Sequence, residues 1–170
     1  MNDERYCWQQ ILLHWVSAAL ILWVLVSGFW IATLNVERST HHFISTINVS
    51  LGTLYIPVFL VRWALRLNCV RPQGLHANAR LRLMASTVHE GLYWVTAAVL
   101  LSGVLMIKRD VEVFGWFTLP VLVDDPLWLD IWFVLHRASC VLLALLLVMH
   151  VGAVIMHASQ GRNVLRRMLL

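Results

Sequence analysis

Residues Trp132 to Arg167 read WFVLHRASCVLLALLLVMHVGAVIMHASQGRNVLRR, an apolar run that carries His136, His150 and His157. A helix turns about 100° per residue, so the step from His136 to His150 ends roughly 40° short of whole turns, and the step on to His157 roughly 20° short. The three imidazoles therefore share one helix face. At a rise of ~1.5 Å per residue, His136 and His150 stand ~21 Å apart along the axis. That separation suits two planar cofactors stacked across a bilayer, each taking one axial imidazole. Histidine is costly in lipid and is seldom placed there without a role.

Composition sets the class. Of 170 residues, 60% are hydrophobic and 13% charged, and the mean hydropathy is +0.74. A soluble domain of this length carries about 25% charged residues, so the chain reads as an integral membrane protein. The basic balance, net charge +4, does not point to nucleic acid, because the arginines flank apolar segments instead of forming a face. Cys7, Cys69 and Cys140 show no paired spacing and are too few for a disulfide framework. The polar start, Met1 to Gln10, runs into an apolar stretch without a small-residue cleavage site, so no cleavable signal is expected. No internal repeat is visible.

Four segments reach the ~20 residues needed to cross the hydrocarbon core. They run roughly over 10–34, 47–67, 88–107 and 129–157, which predicts a single all-α, four-helix transmembrane bundle spanning 1–170. Arg62, Arg66, Arg71, Arg80 and Arg82 surround the second connection, and Arg162, Arg166 and Arg167 follow the last segment. The third connection holds Asp110, Glu112, Asp124, Asp125 and Asp130 against Lys108 and Arg109. Positive-inside bias then places both termini and the second connection in the cytoplasm, as expected of a multi-pass membrane protein.

This topology puts His14, in QQILLHW, at the depth of His150 in the fourth segment. Two histidines at matched depth on different helices suit the axial ligands of a haem held inside a bundle; a structural or proton-relay pair is the alternative. Zinc fits poorly, because no further suitable ligand lies at that level. At the outer level His136 needs a partner from the second segment, and the residue at the expected depth is Asn48. His41 and His42 lie ~9 Å further out along a helix and read as solvated interfacial residues. They reach that level only if the helix begins earlier or the loop folds inward.

Other positions carry two readings each. His89, Glu90 and His157 at the inner edge suit either polar packing or a quinone head-group site with a proton path, since quinone reduction takes up protons. Arg62 and Arg66 suit interfacial anchoring or pairing with haem carboxylates. Phe114, Trp116, Phe117, Trp128 and Trp132 read as an aromatic belt or as a lip over a quinone or cofactor edge. Gly28, Gly52, Gly103 and Gly152 suit close helix contact or room for a porphyrin face. Pro57 frees a backbone carbonyl in the second segment and marks a kink.

Taken together, ILLHW, SLG followed by VRWALRL, HEGLY, SGVLM, WFVLH, MHVGA and the tail RNVLRRML resemble the bacterial cytochrome b561 family, related to the cytochrome b subunits of nickel-iron hydrogenase and formate dehydrogenase. The resemblance covers nearly the whole chain. It implies two b-type haems in four helices. The inner haem iron maps onto His14 and His150, and one ligand of the outer iron onto His136. The family's helix-two histidine falls on Asn48 in this chain. An absent outer haem, a five-coordinate one on His136, and one with an unexpected ligand such as His42 all stay open. Smaller departures are Ala158 beside His157, and Asn163 at an often acidic position.

The resemblance also implies electron transfer between the quinone pool, ubiquinone or menaquinone, and a redox partner. Some members oxidise superoxide while reducing ubiquinone. An anionic substrate needs an electropositive approach, and the outer loop here is acidic, with Arg38 and Arg137 offsetting it only in part. The expectation is therefore a quinone-linked electron-transfer cytochrome in membrane lipid. A superoxide:ubiquinone oxidoreductase, a membrane anchor subunit of a dehydrogenase, and a scaffold without haem stand as alternatives.

Overall fold

The structure is a computed structural model that describes residues 7–68 and 79–160, apart from the side chains of 79–82. Cys69, Arg71, Arg162, Asn163, Arg166 and Arg167, and the side chains of Arg80 and Arg82, lie outside the described residues. Four long helices dominate: α1 (Trp8–Thr33), α2 (Arg38–Asn68), α3 (Ala79–Leu105) and α4 (Pro126–Ser159). All four are long and apolar enough to cross a membrane.

Their surfaces are those of a bundle whose solvent is lipid. Leu22, Trp23, Val26, Leu60, Val61, Leu145 and Val148 all face outward, and Leu143 is the buried residue of α4. The interior is lined by small hydroxyl residues as much as by large apolar ones. Ser17, Ser50 and Ser102 are almost fully buried, which lets helix backbones approach closely. Ser17 donates to the Leu13 carbonyl at 2.6 Å and Ser102 to that of Ala98 at 2.5 Å, while Ser27 shares its one proton between the Trp23 carbonyl at 2.7 Å and Asn48 Oδ1 at 2.9 Å. Ser17 and Ser102 are thus satisfied by their own helices, as a water-free surrounding requires, whereas the Ser50 hydroxyl makes no hydrogen bond among the described residues.

The helices pack as two pairs. α1 lies along α2, and α3 along α4, while α2 and α3 join the pairs. The glycines divide accordingly. A Cβ on Gly103 would meet the His136 ring at 3.2 Å, and one on Gly91 would meet Leu146 at 3.4 Å, so both glycines let α4 close on α3. Gly52 and Gly152 meet nothing within 4 Å.

Helix starts differ from the sequence reading. α2 begins at Arg38 and takes in His41 and His42, where 47 was expected. α4 begins at Pro126 because Asp125 caps it. The Asp125 carboxylate accepts from the backbone N–H of Leu127 at 2.8 Å and of Trp128 at 3.3 Å, and Pro126 occupies the position that needs no donor.

The third connection is not a plain loop. It folds into an antiparallel hairpin of β1 (Val111–Val113) and β2 (Phe117–Leu119), with Val113 opposite Phe117. Phe114 and Gly115 have φ of 48° and 74°, and Trp116 N–H donates to the Val113 carbonyl at 2.9 Å. Two positive φ values make this a turn whose twist matches that of the strands. Val111 and Val113 are buried, and β1 packs on α2. Phe114, Trp116 and Phe117 point outward from the hairpin.

Candidate functional site

The His14 and His150 rings have centroids 6.5 Å apart. His89, a residue of α3, lies closer still to His150, at 5.1 Å. α1, α3 and α4 therefore bring three imidazoles to one level. The separations differ in what they admit. Two metal–imidazole bonds of about 2 Å each, plus the reach from nitrogen to ring centre, put bridged rings about 6 Å apart. The spacing of His14 and His150 meets that demand; the spacing of His89 and His150 is too short for it. His89 Nδ1 lies 2.7 Å from the Ala85 carbonyl and donates to it, which fixes the orientation of the ring.

Two arginines from α2 close this level. Arg62 Nη2 donates to His14 Nδ1 at 3.1 Å. Arg66 pairs with the Glu90 carboxylate and donates through Nη1 to the His89 carbonyl at 3.2 Å. Tyr93 lies between them, with the Arg66 guanidinium 4.2 Å and that of Arg62 5.2 Å from its ring centre. Both arginines therefore make inward contacts beside their anchoring role. From Tyr93 an aromatic cluster of Phe59, Trp63 and Trp94 fills the seam between α2 and α3, with neighbouring rings 5.1 to 6.3 Å apart.

A guanidinium only donates. While Arg62 bonds Nδ1, the His14 proton sits on Nε2. A ring nitrogen must be bare to bind a metal. For His14 to ligate through Nε2, Arg62 must release Nδ1, and the cofactor's carboxylates offer that guanidinium a charge-assisted alternative. With that exchange, the residues present fit a haem at this level.

At the other level His136 is held against α3. Its Nδ1 donates to the Val99 carbonyl at 3.1 Å, and Ser102 Oγ lies 3.2 Å from the same nitrogen. Cys140 Sγ is 3.5 Å from Nε2. Asn48 turns its Oδ1 to α1, where it accepts from Ser27 Oγ at 2.9 Å. Between the two levels lies an apolar cavity of about 40 Å³, walled by residues such as Leu25, Gly52, Tyr55, Cys140 and Leu143.

At the hairpin end, His42 Nε2 accepts from Arg109 Nη1, and Lys108 is 3.4 Å from the Asp130 carboxylate. His41 and His42 are exposed.

The sequence reading found His14, His89, His136 and His150 but not what holds them. Arg62 on His14, Tyr93 between two arginines, Ser27 on Asn48 and Ser102 on His136 all cross between helices. Helical spacing within one segment carries no sign of such contacts. Tyr93 lies one turn beyond Glu90 in HEGLYW, which is the one local signal available.

The sequence model described as Prokaryotic cytochrome b561 matches residues 5–170. Among curated proteins, Cytochrome b561 homolog 2 of Escherichia coli (strain K12) is 29% identical over 128 residues, covering 73% of this chain and 68% of that protein.

Proposed function

The chain belongs to the prokaryotic cytochrome b561 family, which makes it a membrane b-type cytochrome of electron transfer, and from that premise we propose that His14 and His150 hold one haem b that exchanges electrons with the quinone pool. The observation that carries this reading is the 6.5 Å separation of the two rings. Haem b supplies reversible one-electron chemistry when bound. Held by both His14 and His150, the group would supply electron transfer and not oxygen activation.

The surrounding residues have separate tasks. His14 and His150 orient the group. Arg62 and Arg66, on one face of α2, supply the cations that its carboxylates require near the bilayer edge. His89 and Glu90 stand where protons accompany quinone reduction, and Arg66 holds the Glu90 carboxylate in place. The arginines at the α2–α3 connection support a topology with that level, and both termini, on the cytoplasmic side of an inner membrane.

The hairpin end disfavours an anionic substrate on the opposite side. Asp110, Glu112, Asp124 and Asp125 are exposed there, while Lys108 and Arg109 are engaged by Asp130 and His42. Electron transfer to a redox partner therefore stands above superoxide oxidation.

The test is the reduced-minus-oxidised spectrum of the purified chain. His14→Ala and His150→Ala are each expected to abolish the low-spin haem band. A variant that keeps the full band would overturn the ligand assignment.

A further inference from the structure

The outer level of the bundle is built differently from the inner one. At the inner level, two imidazoles on different helices stand 6.5 Å apart. At the outer level, His136 is the single imidazole of the four helices at its depth among the described residues. Opposite it, on α2, stands Asn48, whose side chain turns to α1. Its oxygen takes the Ser27 hydroxyl at 2.9 Å, and its Nδ2 lies 3.7 Å from where a Cβ on Gly28 would be. Ser27 is 8% exposed and Asn48 half-buried, and this amide–hydroxyl pair ties α1 to α2.

His136 is anchored to the other helix pair through Nδ1, which leaves Nε2 as its bare nitrogen. Val99 and Ser102 hold its Nδ1, and its ring rests on Gly103. Cys140, one turn along α4, occupies the vicinity of Nε2, the nitrogen that an iron would need. An amide oxygen is also a poor ligand for haem iron, whose protein ligands are imidazole, thiolate, thioether or phenolate. His41 and His42 do not make good the loss. Both lie on the first turns of α2, ~9 Å or more beyond Asn48, and Arg109 engages His42.

We infer that the outer level holds no haem, because Asn48 stands where a second imidazole is needed, and that the chain carries a single haem at the inner level. The inference rests on the reading of His14 and His150 as its ligands. His136 then serves as a polar strut between α3 and α4. The functional consequence is one of sidedness. No second haem relays electrons across the bilayer, so donor and acceptor both exchange electrons at the end of the bundle that holds His14, His89 and His150.

Haem content of the purified full chain decides this, read by pyridine haemochrome against protein concentration. About one haem per chain is expected, unchanged in His136→Ala and lost in His150→Ala. In Asn48→His the ratio is expected to rise towards two, with a second low-spin signal. Two haems in the native chain, or a loss of haem in His136→Ala, would overturn the inference while leaving the inner ligand pair intact. A ratio that does not move in Asn48→His would overturn Asn48 as the cause. A native chain without haem would overturn both this inference and the proposed function.

Discussion

Arg62 has the most consequential side chain of the inner level after the two histidines. Its guanidinium bonds His14 Nδ1 at 3.1 Å and also lies over Tyr93. It thereby keeps His14 in the tautomer that does not ligate through Nε2, and under the proposed function it would be a cation for a cofactor carboxylate. A positive charge beside the haem favours the reduced form, which carries one charge fewer. Arg62→Gln is therefore expected to lower the haem midpoint potential by tens of millivolts, where about 59 mV is a tenfold change for one electron. A redox titration reads this directly, and an unchanged midpoint would remove Arg62 from the haem's surroundings. At this scale the sequence named the residue types well, because an ionisable side chain in an apolar run is conspicuous. It did not show that Arg62 reaches His14, since those residues are on different helices and only packing brings them together.

At the scale of the element, α4 owes its start to Asp125 and its seat on α3 to Gly103. Asp125 accepts two N–H donors at the head of the helix, and Asp125→Ala is expected to cost about 1 kcal/mol, seen as a lower unfolding midpoint in detergent. Gly103 gives room for the His136 ring, with a Cβ contact of 3.2 Å. Gly103→Val is expected to cost about 1–3 kcal/mol by overpacking, whereas Gly152→Ala, which meets nothing within 4 Å, is expected to stay within about 0.5 kcal/mol. Equal losses in the two variants would show that Gly103 is no contact point. Element type was legible because long apolar runs have few alternatives in lipid. Element starts were not. Arg38 to Thr46 is polar enough to read as a loop, yet it forms the first turns of α2. The hairpin was missed because its strands are three residues each, with Phe114 at positive φ.

The whole molecule is two helix pairs, α1 with α2 and α3 with α4, joined mainly through α2 and α3. An imidazole of α4 can meet one of α1 or α2 only across that division. The inner level achieves this with His14 from one pair and His150 from the other. At the outer level each helix pair keeps its polar group to itself: Ser27 with Asn48, and Ser102 with His136. The sequence carried the asymmetry as a single substitution, and the packing shows how each side is satisfied without the other. The charge distribution supports one orientation. With the arginine-rich end in the cytoplasm, the exposed thiol of Cys7 is expected to react with an impermeant maleimide in inverted membrane vesicles, and a cysteine placed at the hairpin by Glu112→Cys only in right-side-out cells. The opposite pattern would reverse the topology and move the quinone-facing level to the other leaflet. The claim on which the rest depends is that His14 and His150 both ligate one iron. Electron paramagnetic resonance of the oxidised, purified full chain tests it most directly. A low-spin ferric signal from six-coordinate haem, lost in both His14→Ala and His150→Ala, is the predicted result; a native chain whose haem is wholly high-spin and five-coordinate would contradict it.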